Sequence, residues 1–379
     1  MPQQKRLVVK VGSSLLANPD HLTPRFGFMQ RLLQDIARLR GDGYDVILCS
    51  SGAVALGLNL VGARPETAGL SDKQAAAACG MPLLLNAYKQ VAHEYGFDIA
   101  QILLTLGDFE DHRRFLNTKN TVHRLLQSGI MPIVNENDTI TTEEIRVGDN
   151  DRLAAKIAQM VQAQEFIILT SVDGLYDRNP SEEGAQLVTE LVDVTQYLAA
   201  TTGISALGSG GMLTKLQAAN MAQNAGCTTY IANGEADMPL SSVLRGERVC
   251  TKCIAQAEPK SVWATWITDR LQMAGSLTVA SDTADRLQDG TGVRRQDVVS
   301  LTGDFTRGDV LHIYDDQGRE RARGLCDFTS EETRVLVVNP DLPAEQLLGY
   351  QTHSQLIRPD NLIVLEDRHL PWDAPAMAD

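Results

Sequence analysis

The first 235 residues of the chain alternate short apolar runs with amphipathic helical patterns, and this alternation constrains the fold more than any other feature. Apolar residues recur at helical spacing over residues 29–39 and 153–161, which predicts helices with one face against a sheet. The runs predicted to form strands are residues 7–11, 45–49, 99–104, 130–134, 166–170 and 228–232. Because repeated βα units build parallel sheets covered by helices, we predict an α/β domain with a mainly parallel sheet.

The pattern of the chain changes after about Pro259, where short β runs separated by glycine-containing turns replace the βα units. These runs are residues 298–301, 309–314 and 332–338. They predict a small β-rich second domain. The expected division of the chain is a first domain over residues 1–258, a linker over 259–273, the second domain over 274–352 and a C-terminal extension over 353–379.

The charge of the chain restricts its possible partners. It has 34 lysines and arginines against 48 aspartates and glutamates, a net charge of −14. The predicted second domain has eight arginines, no lysine and 14 acidic residues. Proteins bind nucleic-acid phosphates through lysines and arginines that displace counterions, so this composition argues against RNA as a partner.

Other features of the sequence indicate a cytoplasmic protein that does not enter a membrane. No run approaches the roughly 18 apolar residues that span a bilayer. The basic start of the chain lacks a signal-peptide cleavage pattern, and Lys10 interrupts its apolar run. Six cysteines are too few for a disulfide framework in 379 residues. Only Cys250 and Cys253 form a C-x-x-C pair, and reduced thiols in a loop are a better interpretation of it than zinc ligands.

Several common catalytic signatures are absent. The sequence contains no G-x-x-x-x-G-K-[ST], no G-x-G-x-x-G, no G-x-S-x-G and no H-E-x-x-H. P-loop kinases, Rossmann dehydrogenases and zincins are therefore poor fits. What remains is a set of loops at predicted strand ends, rich in Gly, Ser, Asn, Asp and Lys.

Two of these loops are suited to binding an anion. Lys10 lies in an apolar strand and is followed by the turn at residues 12–14, Gly-Ser-Ser. Burial of an unpaired ammonium group is costly, so we expect Lys10 to point from the carboxyl end of the strand towards an anion. Residues 50–53, Ser-Ser-Gly-Ala, begin a helix predicted over 54–61, whose free amides favour a carboxylate or phosphate. A surface lysine and a simple serine N-cap are the alternatives.

Two polar clusters in one later connection are the most informative. Residues 135–138 read Asn-Glu-Asn-Asp after a strand, and residues 147–151 read Val-Gly-Asp-Asn-Asp at a helix start. A single Asp-Asn turn is often structural, because such side chains cap their own backbone, but two clusters at strand ends indicate a site. Their amides and carboxylates suit a zwitterionic substrate, and one carboxylate is available to orient lysines. A metal site is the competing interpretation.

A glycine-rich loop completes the set. Residues 207–215, LGSGGMLTK, run into a predicted helix and place Lys215 in its first turn. Glycines allow close approach of phosphate, and the helix start and the lysine supply positive charge, although a simple hinge is the alternative. Residues 170–177, TSVDGLYD, are placed to line a nucleotide. Two lysines with an anion cradle, and no acid–base pair or nucleophile, favour phosphoryl transfer, which depends on positioning and charge neutralisation.

The order of these loops closely resembles that of the amino acid kinase family. The matching segments run from residue 7 to about 235: LVVKVGSSLL, SSGAVALG, QILLT, RFLNTKNT, IVNENDTITTEEIRVGDNDRLAA, DGLYDRNP and GSGGMLTKLQAA. Within this family, NEND followed by VGDND is characteristic of members that phosphorylate glutamate. The later segment VSLTGDFTRGDVLHIYDDQGRERARGL resembles a PUA domain, a small β-barrel-like fold that is used elsewhere for RNA.

The resemblance implies a three-layer αβα domain that transfers phosphate from ATP to the γ-carboxylate of L-glutamate, the first step of proline biosynthesis. Its implied catalytic residues are Lys10, Lys215, Asp151, which holds the lysines in place, and Asp149. The implied glutamate-binding residues are Ser51, Asp138, Asn150 and Asn135. The implied ATP-binding residues are Lys10, Thr170, Ser171, Ser209, Gly210, Gly211, Met212, Leu213, Thr214 and Lys215. Mg²⁺ is the implied metal, held mainly by the nucleotide phosphates.

The resemblance also implies inhibition by proline, assembly into dimers or tetramers, and transfer of the product to a glutamyl phosphate reductase. The sequence departs from the family pattern at Ser171, where an aspartate usually follows the threonine, and at residues 291–295, TGVRR, at the start of the PUA-like core. Two alternatives stay open. One is a kinase of the same fold acting on aspartate, N-acetylglutamate or a nucleoside monophosphate. The other is an RNA-binding or regulatory protein.

Overall fold

The structure is a computed structural model of the 379-residue chain. It describes residues 5–18, 22–109, 112–140, 149–178, 182–201, 211–255, 273–287, 289–353 and 355–365. The contacts divide the chain into two units, residues 1–262 and 263–379, and each unit is described by itself. Among the described residues, none of the helices combines the length and the apolar character needed to cross a bilayer.

Unit 1 is built on an eight-stranded sheet. Its strands are β1 (Lys5–Val11), β2 (Tyr44–Ser50), β3 (Ile99–Leu104), β4 (Met131–Glu136), β5 (Glu165–Thr170), β6 (Glu190–Leu191), β7 (Thr228–Asn233) and β8 (Thr251–Cys253). The order across the sheet is β3-β4-β2-β1-β5-β7-β8-β6. All neighbours pair in parallel except β7 and β8. The prediction of a mainly parallel sheet is confirmed, and the six predicted strands correspond to β1–β5 and β7.

Helices pack on both faces of this sheet. They are α1 (Ser13–Leu16), α2 (Phe26–Gly41), α3 (Ala53–Gly57), α4 (Leu70–Glu94), α5 (His112–Gln127), α6 (Asp149–Met160), α7 (Thr195–Thr201), α8 (Gly211–Asn224) and α9 (Ser241–Leu244), with a 3₁₀ helix at Leu106–Phe109. Leu7 and Val9 of β1 lie in the apolar core beneath α2 and α4, whereas Val8 lies in the core beneath α6 and α8. Because side chains alternate along a strand, Lys10 shares the face of Val8.

The helix predicted over residues 54–61 is shorter in the structure, where α3 ends at Gly57 and is followed by turns. Its backbone lies directly against α4. A Cβ at Gly57 would come within 1.8 Å of the Ala76 carbonyl oxygen, and one at Gly80 would come within 1.9 Å of the Ala53 carbonyl oxygen. Glycine at both positions therefore permits a contact between helix backbones that no other residue would allow.

Of the C-x-x-C pair, Cys253 lies on the sheet and Cys250 lies just before it. Cys253 is the last residue of β8 and is buried in the core shared with α6 and α8, whereas Cys250, just before β8, packs against the opposite core. Residues three positions apart in extended backbone point to opposite faces. Both cysteines are free, and they pack against opposite cores.

Unit 2 contains a five-stranded sheet and a two-stranded sheet. Its strands are β9 (Gly275–Val279), β10 (Val293–Arg294), β11 (Val298–Gly303), β12 (Val310–Tyr314), β13 (Glu320–Leu325), β14 (Gln355–Ile357) and β15 (Leu362–Val364). Its helices are α10 (Ser281–Leu287), α11 (Ser330–Val338) and α12 (Ala344–Leu348), with 3₁₀ helices at Arg295–Asp297 and Pro359–Asn361. The sheet orders are β11-β9-β12-β13-β15 and β10-β14, so paired strands continue to Val364, within the region predicted as an extension. The predicted linker lies almost entirely outside the described residues.

The β run predicted over residues 332–338 is wrong, because these residues belong to helix α11. The Thr329 hydroxyl accepts a hydrogen bond from the Glu332 amide at 3.2 Å, and the Glu332 carboxylate accepts one from the Thr329 amide at 2.9 Å. This reciprocal capping box satisfies two amides at the helix start. Valines favour strands only weakly and in a context-dependent way, so the capping box and the packing of Leu336 in the core decide for a helix.

Candidate active site

The polar loops meet at one edge of the sheet of unit 1. In the parallel register, Lys10 of β1 lies between Cys49 of β2 and Ile168 of β5, and Thr170 lies beside Asn233 of β7. The carboxyl ends of these strands therefore form one edge. Ligands of open parallel sheets bind outside this edge, so the structure supports the predicted location of the site.

Lys10 and Lys215 share one carboxylate. The Lys10 Nζ lies 2.5 Å from Asp151 Oδ1, and the Lys215 Nζ lies 3.2 Å from Asp151 Oδ2. The side chain of Lys10 is 6 % exposed, that of Lys215 is 12 % exposed and that of Asp151 is 1 % exposed. Three residues predicted from separate loops thus form a single buried cluster, here called the lysine–aspartate cluster.

The start of α8 completes this cluster. The Thr214 hydroxyl donates to Asp151 Oδ2 at 2.9 Å and lies 3.0 Å from the Gly211 carbonyl oxygen. Lys215 is the fifth residue of α8, one position beyond the first turn, but its ammonium group reaches back to the Gly211 carbonyl oxygen at 3.1 Å. Helical side chains lean towards the N-terminus, and this places the Lys215 charge at the helix start.

Burial and charge act against each other in the lysine–aspartate cluster. Burial lowers the pKa of Lys10 below that of an ordinary lysine, and this effect outweighs the raising influence of Asp151. Burial alone would raise the pKa of Asp151, but the charges of Lys10 and Lys215 hold it below its usual value. Asp151 is therefore an anion at neutral pH, and its charge opposes the effect of burial on the pKa of Lys10.

The turn after β2 faces the same edge. Gly52 adopts a left-handed conformation with φ of +97°, which glycine tolerates best, and it directs the chain into α3. The Ser50 hydroxyl lies 3.1 Å from the buried Tyr88 hydroxyl and 3.1 Å from the Ser51 carbonyl oxygen. Ser51 itself is half-buried at the edge of the sheet.

Three polar residues predicted to bind glutamate have different surroundings. Asn135 is buried in β4, where its Oδ1 accepts from the Glu136 amide at 2.9 Å and its Nδ2 lies 3.3 Å from Met81 Sδ. Asp138 follows β4 and is buried. Asn150 is the second residue of α6, and its Oδ1 is buried without a hydrogen-bond donor among the described residues. Asn150 therefore presents an unused acceptor next to Asp151 in the chain.

A hydrogen bond that the sequence patterns did not reveal connects the loop after β5 to the end of β7. Thr170 is half-buried and Ser171 is exposed. Asp173 accepts a hydrogen bond from Asn233 Nδ2 at 3.1 Å, which links this loop to the end of β7. Asn233 follows the predicted strand directly, but its partner is 60 residues away, so only the register of β5 and β7 brings the two together.

The structure describes the remaining predicted site residues only in part. Ser209 and Gly210 lie outside the described residues, as does the side chain of Asp149, the first residue of α6. Met212 packs against the core beneath α8, so its backbone is the part that faces the edge of the sheet. Leu213 is half-buried. No group of three or more metal-binding side chains occurs in the described part of the chain.

Comparison with known sequences gives consistent matches. Residues 5–233 match the model of a family described as the amino acid kinase family. A glutamate 5-kinase of Paramagnetospirillum magneticum is 38 % identical over 363 residues, covering 95 % of this chain and 98 % of that protein. A glutamate 5-kinase of Azoarcus sp. (strain BH72) is 40 % identical over 364 residues, with the same coverage. The similarity therefore extends through most of both units.

Comparison with solved structures identifies a similar fold. The carbamate kinase from Giardia lamblia bound to AMP-PNP superposes with a TM-score of 0.51 and 18 % sequence identity. The match covers 68 % of this chain and 100 % of that one. At this identity the similarity concerns the fold alone.

Proposed function

Because the chain belongs to the amino acid kinase family, we propose that it transfers the γ-phosphoryl group of ATP to the γ-carboxylate of L-glutamate. The products are ADP and L-glutamyl 5-phosphate, and the reaction is the first step of proline biosynthesis. The near full-length similarity to glutamate 5-kinases supports this choice of substrate. The observation that carries the chemistry is the lysine–aspartate cluster, in which one carboxylate orients two ammonium groups at the carboxyl edge of the sheet.

ATP occupies the side of the edge formed by β5 and α8. Thr170 and Ser171 contact the nucleotide, and residues 209–215 surround its phosphates. The start of α8 supplies backbone amides, and Lys215 supplies a point charge beside them. The exposure of Ser171 supports its contact with the nucleotide.

Glutamate occupies the side formed by β2, β4 and the start of α6. The substrate's ammonium group donates to the unused Asn150 Oδ1 and pairs with the Asp138 carboxylate. Ser51 binds a substrate carboxylate. Asn135 supports the glutamate site without contacting the substrate, because the Glu136 amide and Met81 Sδ already contact its side-chain amide. This arrangement matches a zwitterionic substrate with one further carboxylate.

The reaction requires no general base. The attacking γ-carboxylate is already ionised at pH 7, since the pKa of a glutamate side chain is about 4.3. It attacks the γ-phosphorus in line, the new O–P bond forms, and the bond to the ADP oxygen breaks. Negative charge spreads over the phosphoryl oxygens in the transition state, and Lys10 and Lys215 neutralise it. Preorganised charges of this kind supply most of the rate.

Mg²⁺ fits this site as a metal that arrives on the nucleotide. The described residues offer no cluster that would hold the ion alone, and Mg²⁺ commonly binds substrate phosphates and keeps several waters. When bound, it neutralises phosphate charge. Asp151 is committed to Lys10, Lys215 and Thr214 and is not its ligand.

Glutamate-dependent formation of a hydroxamate tests the proposal. Hydroxylamine traps an acyl phosphate, so the purified protein with ATP and Mg²⁺ should yield hydroxamate with glutamate and not with aspartate or N-acetylglutamate. Phosphorylation of UMP, or a product only with another acceptor, would refute the proposal. Addition of proline in the same assay tests the proposed feedback inhibition.

Several further proposals rest on the resemblance of the sequence to the amino acid kinase family. The protein forms dimers or tetramers, passes its labile product to a glutamyl phosphate reductase, and is cytoplasmic, which agrees with its six free thiols. Unit 2 is a PUA-like domain with a structural or regulatory role, since its acidic composition opposes RNA binding. Salt-sensitive binding of RNA by the full chain near physiological salt would reverse this last point.

A further inference from the structure

The loop after β5 is anchored at its far end by a buried threonine of another strand, and the Leu175 carbonyl oxygen also accepts a hydrogen bond from the Val188 amide at 2.8 Å. Thr251 begins β8, and its hydroxyl accepts a hydrogen bond from the Leu175 amide at 2.8 Å. The same hydroxyl donates to the Val188 carbonyl oxygen at 2.7 Å. Thr251 is fully buried, and Leu175 is 1 % exposed. One hydroxyl therefore satisfies two backbone groups from different segments, the amide of the buried Leu175 and the carbonyl group of the half-buried Val188.

The same contact fixes the distance between the loop and β8. A Cβ at Gly174 would come within 2.4 Å of the Thr251 hydroxyl oxygen and within 2.9 Å of the Thr251 amide nitrogen. Only glycine permits the loop to approach β8 this closely. Leu175 also lies in the apolar core beneath α6 and α8, so the loop has an apolar anchor beside its polar one.

The near end of the loop is fixed by β5 and β7. Thr170 ends β5, and its carbonyl oxygen accepts from the Gly234 amide at 2.9 Å. Asp173 accepts from Asn233 Nδ2 at 3.1 Å. Ser171, Val172 and Asp173 lie between the end of β5 and Gly174. They are exposed or half-buried at the edge where the nucleotide is proposed to bind. A short segment held at both ends keeps its exposed part in one conformation.

We propose that Thr251 is a positioning residue for the nucleotide, which holds residues 171–173 in the conformation that binds ATP. The inference rests on the proposed function only for the identity of the ligand. Thr251 acts through Leu175 and Gly174 and does not touch the transferring group. It therefore governs affinity for ATP and leaves both the phosphoryl transfer step and the affinity for glutamate unchanged.

Thr251→Val tests the hydroxyl with little change of shape. Loss of this hydroxyl leaves the buried Leu175 amide and the half-buried Val188 carbonyl group without this partner, and we expect the Kd and KM for ATP to rise about tenfold. The kcat and the KM for glutamate should change less than twofold. Thr251→Ser keeps the hydroxyl and should restore the affinity for ATP to near that of the parent protein.

Thr229→Val is the matched control. Thr229 lies in β7 opposite Cys253, is fully buried, and its hydroxyl has no hydrogen-bond partner among the described residues. The same substitution there should leave the Kd for ATP unchanged. An equal loss of ATP affinity in Thr229→Val, or a change below twofold in Thr251→Val, would overturn the proposal. A parallel rise in the KM for glutamate would also overturn it.

Two further measurements keep the outcome clear. If Thr251→Val does not fold, Gly174→Ala displaces the same loop while the hydroxyl is retained, and it should weaken ATP binding in the same way. Equilibrium binding of ATP is measured without an acceptor. Failure of the proposed function would appear as no hydroxamate from the parent protein with glutamate, whereas failure of this inference would appear as unchanged ATP binding in the variants.

Discussion

Replacement of Asp151 by asparagine is the most direct test of the lysine–aspartate cluster. Asp151→Asn keeps the shape of the side chain and one oxygen acceptor but removes the negative charge. In the parent protein, the Nζ atoms of Lys10 and Lys215 lie 2.5 Å and 3.2 Å from the carboxylate oxygens of Asp151. In the variant, both ammonium groups are buried without an anion. Their mutual repulsion also becomes uncompensated.

The expected loss of stability is large. Two opposite charges about 3 Å apart attract by roughly 5 kcal/mol at an effective dielectric constant of about 20. Desolvation of the three groups opposes this attraction, and removal of one partner from a buried ion pair costs about 3–5 kcal/mol in the free energy of unfolding. For a unit of this size, at about 2–4 °C per kcal/mol, that loss corresponds to a decrease of roughly 6–20 °C in the melting temperature.

The pH dependence of kcat gives the more specific readout. Burial lowers the pKa of Lys10, and Asp151 is the group that opposes this effect, so the pKa should fall further in Asp151→Asn. Lysine stabilises the transferring phosphoryl group only when it is protonated. The alkaline decrease in kcat should therefore begin at a lower pH in the variant than in the parent protein.

The stability comparison is best made at neutral pH. The folded-state pKa of Asp151 lies below its ordinary value. Its contribution to stability is therefore complete above a pH of about 3.9 and is lost as the pH falls through the folded-state pKa. Circular dichroism should follow the melting transition that ATP shifts, because a ligand raises the melting temperature of the unit that binds it.

Asp35→Asn is the control for loss of a buried carboxylate. Asp35 is fully buried in α2 and accepts hydrogen bonds from the Leu240 and Ser241 amides at 2.8 Å and 3.0 Å. This variant should lose stability without a shift in the alkaline limb of kcat. A parental melting temperature and an unshifted alkaline limb in Asp151→Asn would refute the role assigned to the shared carboxylate.

Four further substitutions test separate parts of the molecule. Lys10→Ala and Lys215→Ala should each reduce kcat by about 10²-fold or more in steady-state assays, because one preorganised charge is lost, and near-normal kcat in both would contradict this. Asn150→Ala should raise the KM for glutamate chiefly, since the amide binds ground and transition states alike, and a loss of kcat at constant KM would exclude that role. Thr329→Ala removes the N-cap of α11 and should destabilise unit 2 by about 1 kcal/mol. Urea unfolding followed by circular dichroism measures this loss, and an unchanged midpoint would mean that the capping box does not stabilise the helix.

The strands of unit 1 were predictable where the apolar run itself makes the strand. The predicted run 166–170 corresponds to β5 because its side chains are buried on both faces of a parallel sheet. The strand β8 has the sequence Thr-Lys-Cys and carries no such signal. It exists because β7 offers an edge with which it pairs. Short strands of this kind form because a distant segment of the chain pairs with them. No local sequence pattern therefore predicts such strands.

The second unit shows how a local signal can be outweighed by a neighbouring one. Residues 333–338, Thr-Arg-Val-Leu-Val-Val, resemble a β run, but the sequence Thr-Ser-Glu-Glu immediately before them contains the capping box of α11. The cap satisfies amides that a strand would leave to a partner, and Leu336 still reaches the core. The T-x-x-E spacing was thus the signal that identifies this helix.

The loops of the candidate site were predictable from local patterns, and the resemblance to the family added that Asp151 would hold the two lysines. Because parallel strands place their carboxyl ends together, Lys10, Asp151 and Lys215 could be assigned to one edge from their positions after strands and at helix starts. Their sharing of one carboxylate depends on the approach of α6 and α8 to the same face of β1. The contact between Thr251 and Leu175 joins residues 76 positions apart and leaves no trace in local spacing.

The stoichiometry of the lysine–aspartate cluster explains how an acidic protein can bind anionic substrates. The chain carries a net charge of −14, yet two lysines meet one aspartate in this cluster, which leaves one positive charge uncompensated among the three. A second acidic partner would neutralise the lysines and would compete with phosphate for them. With a single shared carboxylate, the lysines stay oriented, and the remaining charge is available to a ligand. Because low-dielectric surroundings strengthen a local charge, it acts on a bound phosphate despite the negative charge of the distant surface.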